Sequence, residues 1–215
     1  MPGHPLALPA LMLVTDRLVA GGEDALVEKV AEAVAGGVTV VQVREKDLAP
    51  EQLAALADRV KAAIGGRAAL VINSDADVAR KVGADGVHFP ENAAFPGDRA
   101  GLITGRSVHS VESALQAAAE GVDYVVVGPA YVTESHPGVA PGGPQLISDV
   151  AAAVSVSVIA IGGIDAGRTP EMVSAGAAGI AVVRAILASE SPRDAASSIR
   201  RALRGREGVN ARLQR

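Results

Sequence analysis

The stretch VAEAVAGGVTVVQVRE, residues 30–45, reads as the end of one element joined directly to the start of another. Its first half is an Ala-rich helical pattern. Gly36 and Gly37 then supply a stop, and Val38 opens a β-branched apolar run. Glycine at a helix C-cap followed at once by a buried strand is an αβ joint. The same joint returns in VARKVGADGVHF (78–89), LQAAAEGVDYVVVGP (115–129) and MVSAGAAGIAVVR (172–184). A unit that recurs in this way within one chain points to a repeated supersecondary architecture.

With these joints fixed, the remaining elements fall into place. The pattern predicts strands at Leu11–Thr15, Val38–Arg44, Ala69–Asn73, Gly86–Phe89, Ile103–Ser107, Tyr124–Gly128, Val158–Ile161 and Gly179–Val183. Helical patterns occupy Glu23–Ala35, Pro50–Ile64, Asp75–Val82, Val111–Glu120, Ile147–Val154, Thr169–Ala175 and Pro192–Leu203. A further helix is expected over Glu91–Gly101, although Pro96 and Gly97 interrupt it. Ser74 is expected to cap the third helix and Ser110 the fifth, and Pro170 suits a first helical turn. Strands alternating with helices imply a parallel sheet. An open doubly wound sheet is the rival. The count of eight and the short, near-continuously apolar strands favour a single α/β (β/α)8 TIM barrel. Its expected extent is residues 10–204, after a flexible lead-in at 1–9 and before a polar, Arg-rich tail at 205–215.

Composition narrows the function. The chain has 215 residues, 49% hydrophobic but only 2% aromatic, so Val, Ile, Leu and Ala must fill the core. A net charge of −4 argues against a nucleic-acid partner. The absence of cysteine removes disulfides, thiolate nucleophiles and Cys-type zinc sites. No apolar run reaches the length of a membrane span, and Met1 to Pro9 lacks the features of a signal peptide. A cytoplasmic location is the expectation. A homodimer is allowed but not indicated.

In this fold the site forms from the loops that follow the strands. After the second strand come Gln42, Arg44 and Lys46, which share one face if the chain stays extended, with Val38 and Val40 below them. A guanidinium fork and an ammonium together suit a phosphate or pyrophosphate. The bland alternative pairs these cations with Glu45 or Asp47. After strands seven and eight come Gly162-Gly163 and Val183-Arg184, where barrels of this kind commonly hold a phosphate. The long Pro- and Gly-containing loop from Pro129 to Pro144 carries Thr133, Ser135 and His136 and has the length of a lid. Asn73, Ser107 and His109 also follow strand ends. The expected partner is a phosphorylated small molecule.

These motifs together resemble the thiamine phosphate synthase and thiazole tautomerase superfamily. The resemblance runs from LVTDR at 13–17 to AVVRAI at 181–186, and is most specific in GGVTVVQVREKD (36–47), GADGVHF (83–89), GRSVHS (105–110), DYVVVGPAY (123–131) and VIAIGGI (158–164). It implies thiamine biosynthesis: a transferase that joins pyrimidine methyl pyrophosphate to thiazole phosphate and releases pyrophosphate, with Mg²⁺. By that resemblance, Gln42, Arg44 and Lys46 hold the pyrophosphate, assisted by Asn73. Thr133, Ser135 and the backbone near Gly163 and Val183 hold the thiazole phosphate; Ser107, His136, Gly162 and Arg184 are further candidate substrate contacts, with His136 standing where the synthase pattern has a basic residue and Arg184 where it has Ser. The synthase pattern has Asp directly after the strand-three Asn, where this chain has Ser74, and a Gly-Gln-x-Asp segment where it has Pro90-Glu91-Asn92-Ala93. Asp75 and Glu91 are the remaining candidates for the metal. A tautomerase-like proton transfer without metal is the alternative, with His109 as its acid or base. GRSVHS and GPQLISDV (143–150) resemble that branch, but Pro129 stands where its histidine is expected after strand six. A non-catalytic binder of a phosphorylated thiamine precursor is the third reading.

Overall fold

The computed structural model describes residues 6–95, 101–133, 138 and 140–205. Eight parallel strands close on themselves in sequence order: β1 (Ala10–Val14), β2 (Val40–Val43), β3 (Ala69–Asn73), β4 (Gly86–Phe89), β5 (Ile103–Val108), β6 (Tyr124–Val127), β7 (Ser157–Ile161) and β8 (Gly179–Val182). The ring closes where Leu11 of β1 stands beside Ile180 of β8. Around it lie α2 (Glu23–Ala35), α3 (Pro50–Ile64), α4 (Ala76–Val82), α5 (Val111–Ala119), α6 (Gly143–Ala153), α7 (Thr169–Ser174) and α9 (Pro192–Arg204), with single turns α1 (Arg17–Ala20) and α8 (Arg184–Leu187) at the mouth. The fold is therefore the single TIM barrel read from the sequence.

Alternation along the strands divides the apolar residues into two layers. Met12, Val40, Val71, Ile103, Tyr124, Val126, Ile159 and Ala181 fill the barrel interior. The outward-facing set, including Leu11, Val41, Leu70, Val125 and Ile180, packs under the helices. At Gly105 the interior makes room for a neighbour. A Cβ on Gly105 would lie 2.1 Å from Cζ of Tyr124, so the tyrosine occupies the space the glycine leaves. Gly105→Ala should overpack the interior and cost about 1–3 kcal/mol, measured by urea unfolding. Unchanged stability would mean that Tyr124 has another place to go.

Four expectations are corrected. Val38 faces the helices, because its N–H still donates to Ala33 O in the C-cap of α2 and the strand begins only at Val40. Asp75, not Ser74, caps α4: its carboxylate accepts from Val78 N at 2.8 Å, while Ser74 N is still tied to His88 O of β4. Ser74 itself takes a left-handed φ of 67°. No helix forms over Glu91–Phe95. The Arg106 guanidinium draws the carbonyls of Pro90 and Ala93 toward itself and away from a helical ladder. Residues 96–100 of that expected helix lie outside the described residues. Lys46 does not share the face of Gln42 and Arg44: β2 ends at Val43 and the chain turns at Lys46-Asp47, leaving Lys46 exposed.

Candidate functional site

A cavity of about 590 Å³ opens at the C-terminal ends of the strands. Its floor is the inward-facing end of the ladder. Val14, Val126, Ile161 and Ala181 form apolar floor, while Gln42, Asn73, His88 and Ser107 present polar atoms above the packed interior. These four come from adjacent strands β2 to β5, each at the last or next-to-last inward position. The strand pattern thus sets a polar arc on one side of the ring.

His88 is the centre of that arc. One ring nitrogen, Nε2, lies 2.9 Å from Ser107 Oγ, and Nδ1 lies 3.3 Å from the Tyr124 hydroxyl. Gln42 bonds the same hydroxyl. Burial, reinforced by the Arg44 and Arg106 charges, pushes the imidazole down to about 3, so His88 is neutral. Burial also raises Tyr124 above the ordinary phenol value. The floor is a connected but uncharged network.

The positive charge stands above it. Arg44 lines the cavity, and no acidic side chain among the described residues pairs with its guanidinium. Lys46, exposed on the following turn, is held below the ordinary lysine value chiefly by the Arg44 charge. The bland expectation for this segment fails because Arg17 takes both neighbouring acids. It bonds Glu45 Oε2 at 3.2 Å and both Asp47 oxygens at 2.7 and 2.6 Å.

The opposite wall comes from β6, β7 and β8. Thr133, Gly162, Gly163, Val183 and Arg184 all line the cavity there. Gly162 and Gly163 have φ of 104° and 63°. Added Cβ atoms would lie 2.8 Å from Pro129 Cα and from Val132 O respectively. Only glycine meets both demands, and the β7 turn can then fold against the loop after β6. Arg168 fixes this turn by donating to Gly163 O at 2.6 Å while stacking 4.5 Å over the Tyr131 ring. Ser135 and His136 lie outside the described residues.

At the rim, His109 lines the cavity from just past β5. Glu91 grips it twice: Oε1 accepts from the His109 backbone N–H at 3.1 Å, and Oε2 lies 3.0 Å from Nδ1. Burial works against ionisation of Glu91, but hydrogen bonds from Ser113 and His109 outweigh it and hold the carboxyl below its usual range. Four polar residues that line the cavity were not among the sequence candidates: Thr15, Asp16, His88 and Asp165. For His88 a signal existed, since it follows Gly86 by two on the inward face. Asp16 and Asp165 gave none beyond their place after strands one and seven.

The family model described as thiamine monophosphate synthase matches residues 11–186. The chain belongs to this family. A thiamine-phosphate synthase of Thermus thermophilus is 39% identical over 188 residues, covering 85% of this chain and 91% of the relative. One from Methanoculleus marisnigri is 36% identical over 197 residues, covering 88% and 93%. Among solved structures, a thiamine phosphate pyrophosphorylase from Pyrococcus furiosus superposes with a TM-score of 0.81 at 29% identity, covering 91% of this chain and 96% of that one. No helix among the described residues is long and apolar enough to cross a membrane.

The Mg²⁺ that the thiamine monophosphate synthase family implies can be tested against this donor set. Asp75 is committed to capping α4 and does not line the cavity. Glu91 has both oxygens on His109 and does not line it either. The carboxylates that do line it, Asp16 and Asp165, cap the turns at Leu18-Val19 and Arg168. Among the described residues no three His, Asp or Glu side chains converge. These residues do not fit an ion held by the protein alone, and neither metal candidate named from the sequence is placed for it.

Proposed function

We propose that this chain is a thiamine-phosphate-synthase-like transferase, joining pyrimidine methyl pyrophosphate to thiazole phosphate with release of pyrophosphate. The observation that carries the reading is Arg44: a guanidinium lining the cavity, without an acidic partner among the described residues, beside a second cation at Lys46. As the C–O bond to the pyrophosphate breaks, negative charge grows on the leaving group. Fixed cations stabilise that charge more than they stabilise the ground state. The ring nitrogen of the thiazole supplies the electron pair for the new C–N bond. Its phosphate would sit against Thr133, Gly163, Val183 and Arg184, about opposite the cations. Gln42, Asn73 and Ser107 offer polar contacts to the pyrimidine side, over an uncharged floor. Any Mg²⁺ requirement then resides with the substrate's own pyrophosphate, since Mg²⁺ commonly keeps substrate phosphates and water among its ligands.

One observation favours a second reading. Glu91, whose carboxyl is held below its usual range, contacts Nδ1 of His109 and orients the ring at the cavity rim. An orienting carboxylate, an imidazole and a cavity form a proton-transfer arrangement suited to a tautomerase-like reaction.

Turnover separates the two. Purified protein with pyrimidine methyl pyrophosphate, thiazole phosphate and Mg²⁺ should yield thiamine phosphate, read by oxidation to its fluorescent product. Product formation that survives His109→Ala supports the transferase. No product from protein that binds both substrates overturns it and favours the proton-transfer reading.

A further inference from the structure

The segment Arg44-Glu45-Lys46-Asp47 alternates in sign. Left to itself, such a segment neutralises its own cations, because each has an acid as chain neighbour. In this fold the acids are diverted. Glu45 is buried, with its side chain only 3% exposed, and accepts four hydrogen bonds from three donors. These are Thr15 Oγ1 at 2.7 Å, the Arg17 backbone N–H to both oxygens at 3.2 Å, and Arg17 Nη1 at 3.2 Å. Asp47 is 63% exposed and would be free to swing toward Arg44 or Lys46, but Arg17 clamps both of its oxygens. Thr15 closes the circuit by accepting from the Arg44 backbone N–H at 2.9 Å. Arg17 itself does not line the cavity.

We propose that Arg17 is a positioning residue that withdraws Glu45 and Asp47 from Arg44, which lines the cavity, and from Lys46 on the adjoining turn, so that both cations meet an anionic ligand unneutralised. The residue never touches the ligand. It acts by occupying the carboxylates that would otherwise compete with a phosphate for the same donors. Hydrogen bonds from Arg17, its main cause, hold Asp47 below the usual carboxylate range, and the depression of Lys46 comes first from Arg44 rather than from any acid. The segment therefore behaves as two uncompensated cations beside one tightly bound ion-pair cluster. Bidentate geometry matters, because a lysine at this position supplies one point charge and cannot hold two carboxylates in the same way.

The inference rests on the reading of Arg44 and Lys46 as an anion site, so the test carries a control for that reading. The probe is inorganic pyrophosphate, bound to the full-length protein and followed by calorimetry, with the KM for the pyrophosphate substrate as the kinetic counterpart. Arg17→Ala should weaken pyrophosphate binding about fivefold and raise KM, and kcat should fall as well, because the same cations stabilise the departing pyrophosphate in the transition state. Asp47→Asn in the Arg17→Ala background should restore most of the lost affinity, whereas Asp47→Asn alone should change it little. A merely structural role for Arg17 gives no such rescue. If Arg17→Ala does not fold because Glu45 is left buried without its partner, Arg17→Lys keeps a cation there. It should still release Asp47 and show a smaller, equally rescuable loss. Failure of Asp47→Asn to restore affinity in either background overturns the proposal, as does unchanged binding in both Arg17 variants. Wild-type protein that binds no pyrophosphate, or Arg44→Ala that binds it as well as wild type, removes the anion-site reading instead.

Discussion

Arg44→Ala should lower kcat/KM for the pyrophosphate substrate by about 10²–10³-fold, the usual loss when one fixed donor to a developing charge is removed. Three features make the effect large. The guanidinium lines the cavity at the end of β2, no described acid neutralises it, and its neighbour Lys46 is an exposed side chain on a turn, a poor substitute for a fixed fork. Folding should survive, because the backbone N–H of Arg44 is what bonds Thr15 Oγ1, and alanine keeps that bond. Arg44→Lys should recover only part of the loss, since an ammonium cannot engage two phosphate oxygens in one plane. How the loss divides is informative. A fall in kcat equal to the fall in kcat/KM places Arg44 on the leaving group in the transition state, while a rise in KM alone makes it a ground-state contact. Unchanged kinetics in a folded variant would remove Arg44 from the site.

Much of the barrel was legible because its signals are local. The glycine joint at Gly83 has φ of 61° and caps α4, the left-handed stop its sequence context calls for. The alternation through Val40 and Gln42 also holds, since both point inward. It fails at Lys46 for a reason no local pattern contains. The direction of the chain beyond Val43 is set by Glu45 and Asp47 reaching residues 28 to 30 positions earlier. The same holds for Glu91. Its sequence position suggested a metal ligand, but a histidine 18 residues later turns it to the rim. Charged side chains in the site were thus visible as candidates, while their partners, which decide what each does, come from other strands. His88 was the reverse case. Its inward position followed from alternation alone, yet its neutrality depends on burial and on two arginines that converge only in the closed barrel.

That buried neutrality makes His88 a strong source of acid sensitivity. Its folded value of about 3 lies below the unfolded value of about 6.5. Above pH 6.5 neither state binds the proton, and the native state is at full stability with respect to this group. As pH falls below 6.5 the unfolded chain gains a proton the barrel refuses, so stability drops by about 1.4 kcal/mol per pH unit until about pH 3. Across that window the loss is on the order of 4 kcal/mol, a large part of the 5–15 kcal/mol typical of a domain. The groups facing the ring act in one direction. Arg44 and Arg106 both oppose a second positive charge, and Tyr124, Ser107 and Gln42 supply only neutral hydrogen-bonding atoms around it. His88→Gln keeps a polar side chain at the floor but cannot take up the proton. Urea unfolding at several pH values between 7 and 4 should therefore show a shallower acid limb for the variant. The difference between the two proteins cancels the carboxylates that titrate in both. A bound anion on Arg44 removes part of the repulsion, so saturating inorganic pyrophosphate should flatten the wild-type limb toward that of His88→Gln. Parallel loss of stability in wild type and variant would mean that the imidazole is protonated in the folded barrel, and that the floor of the cavity carries charge.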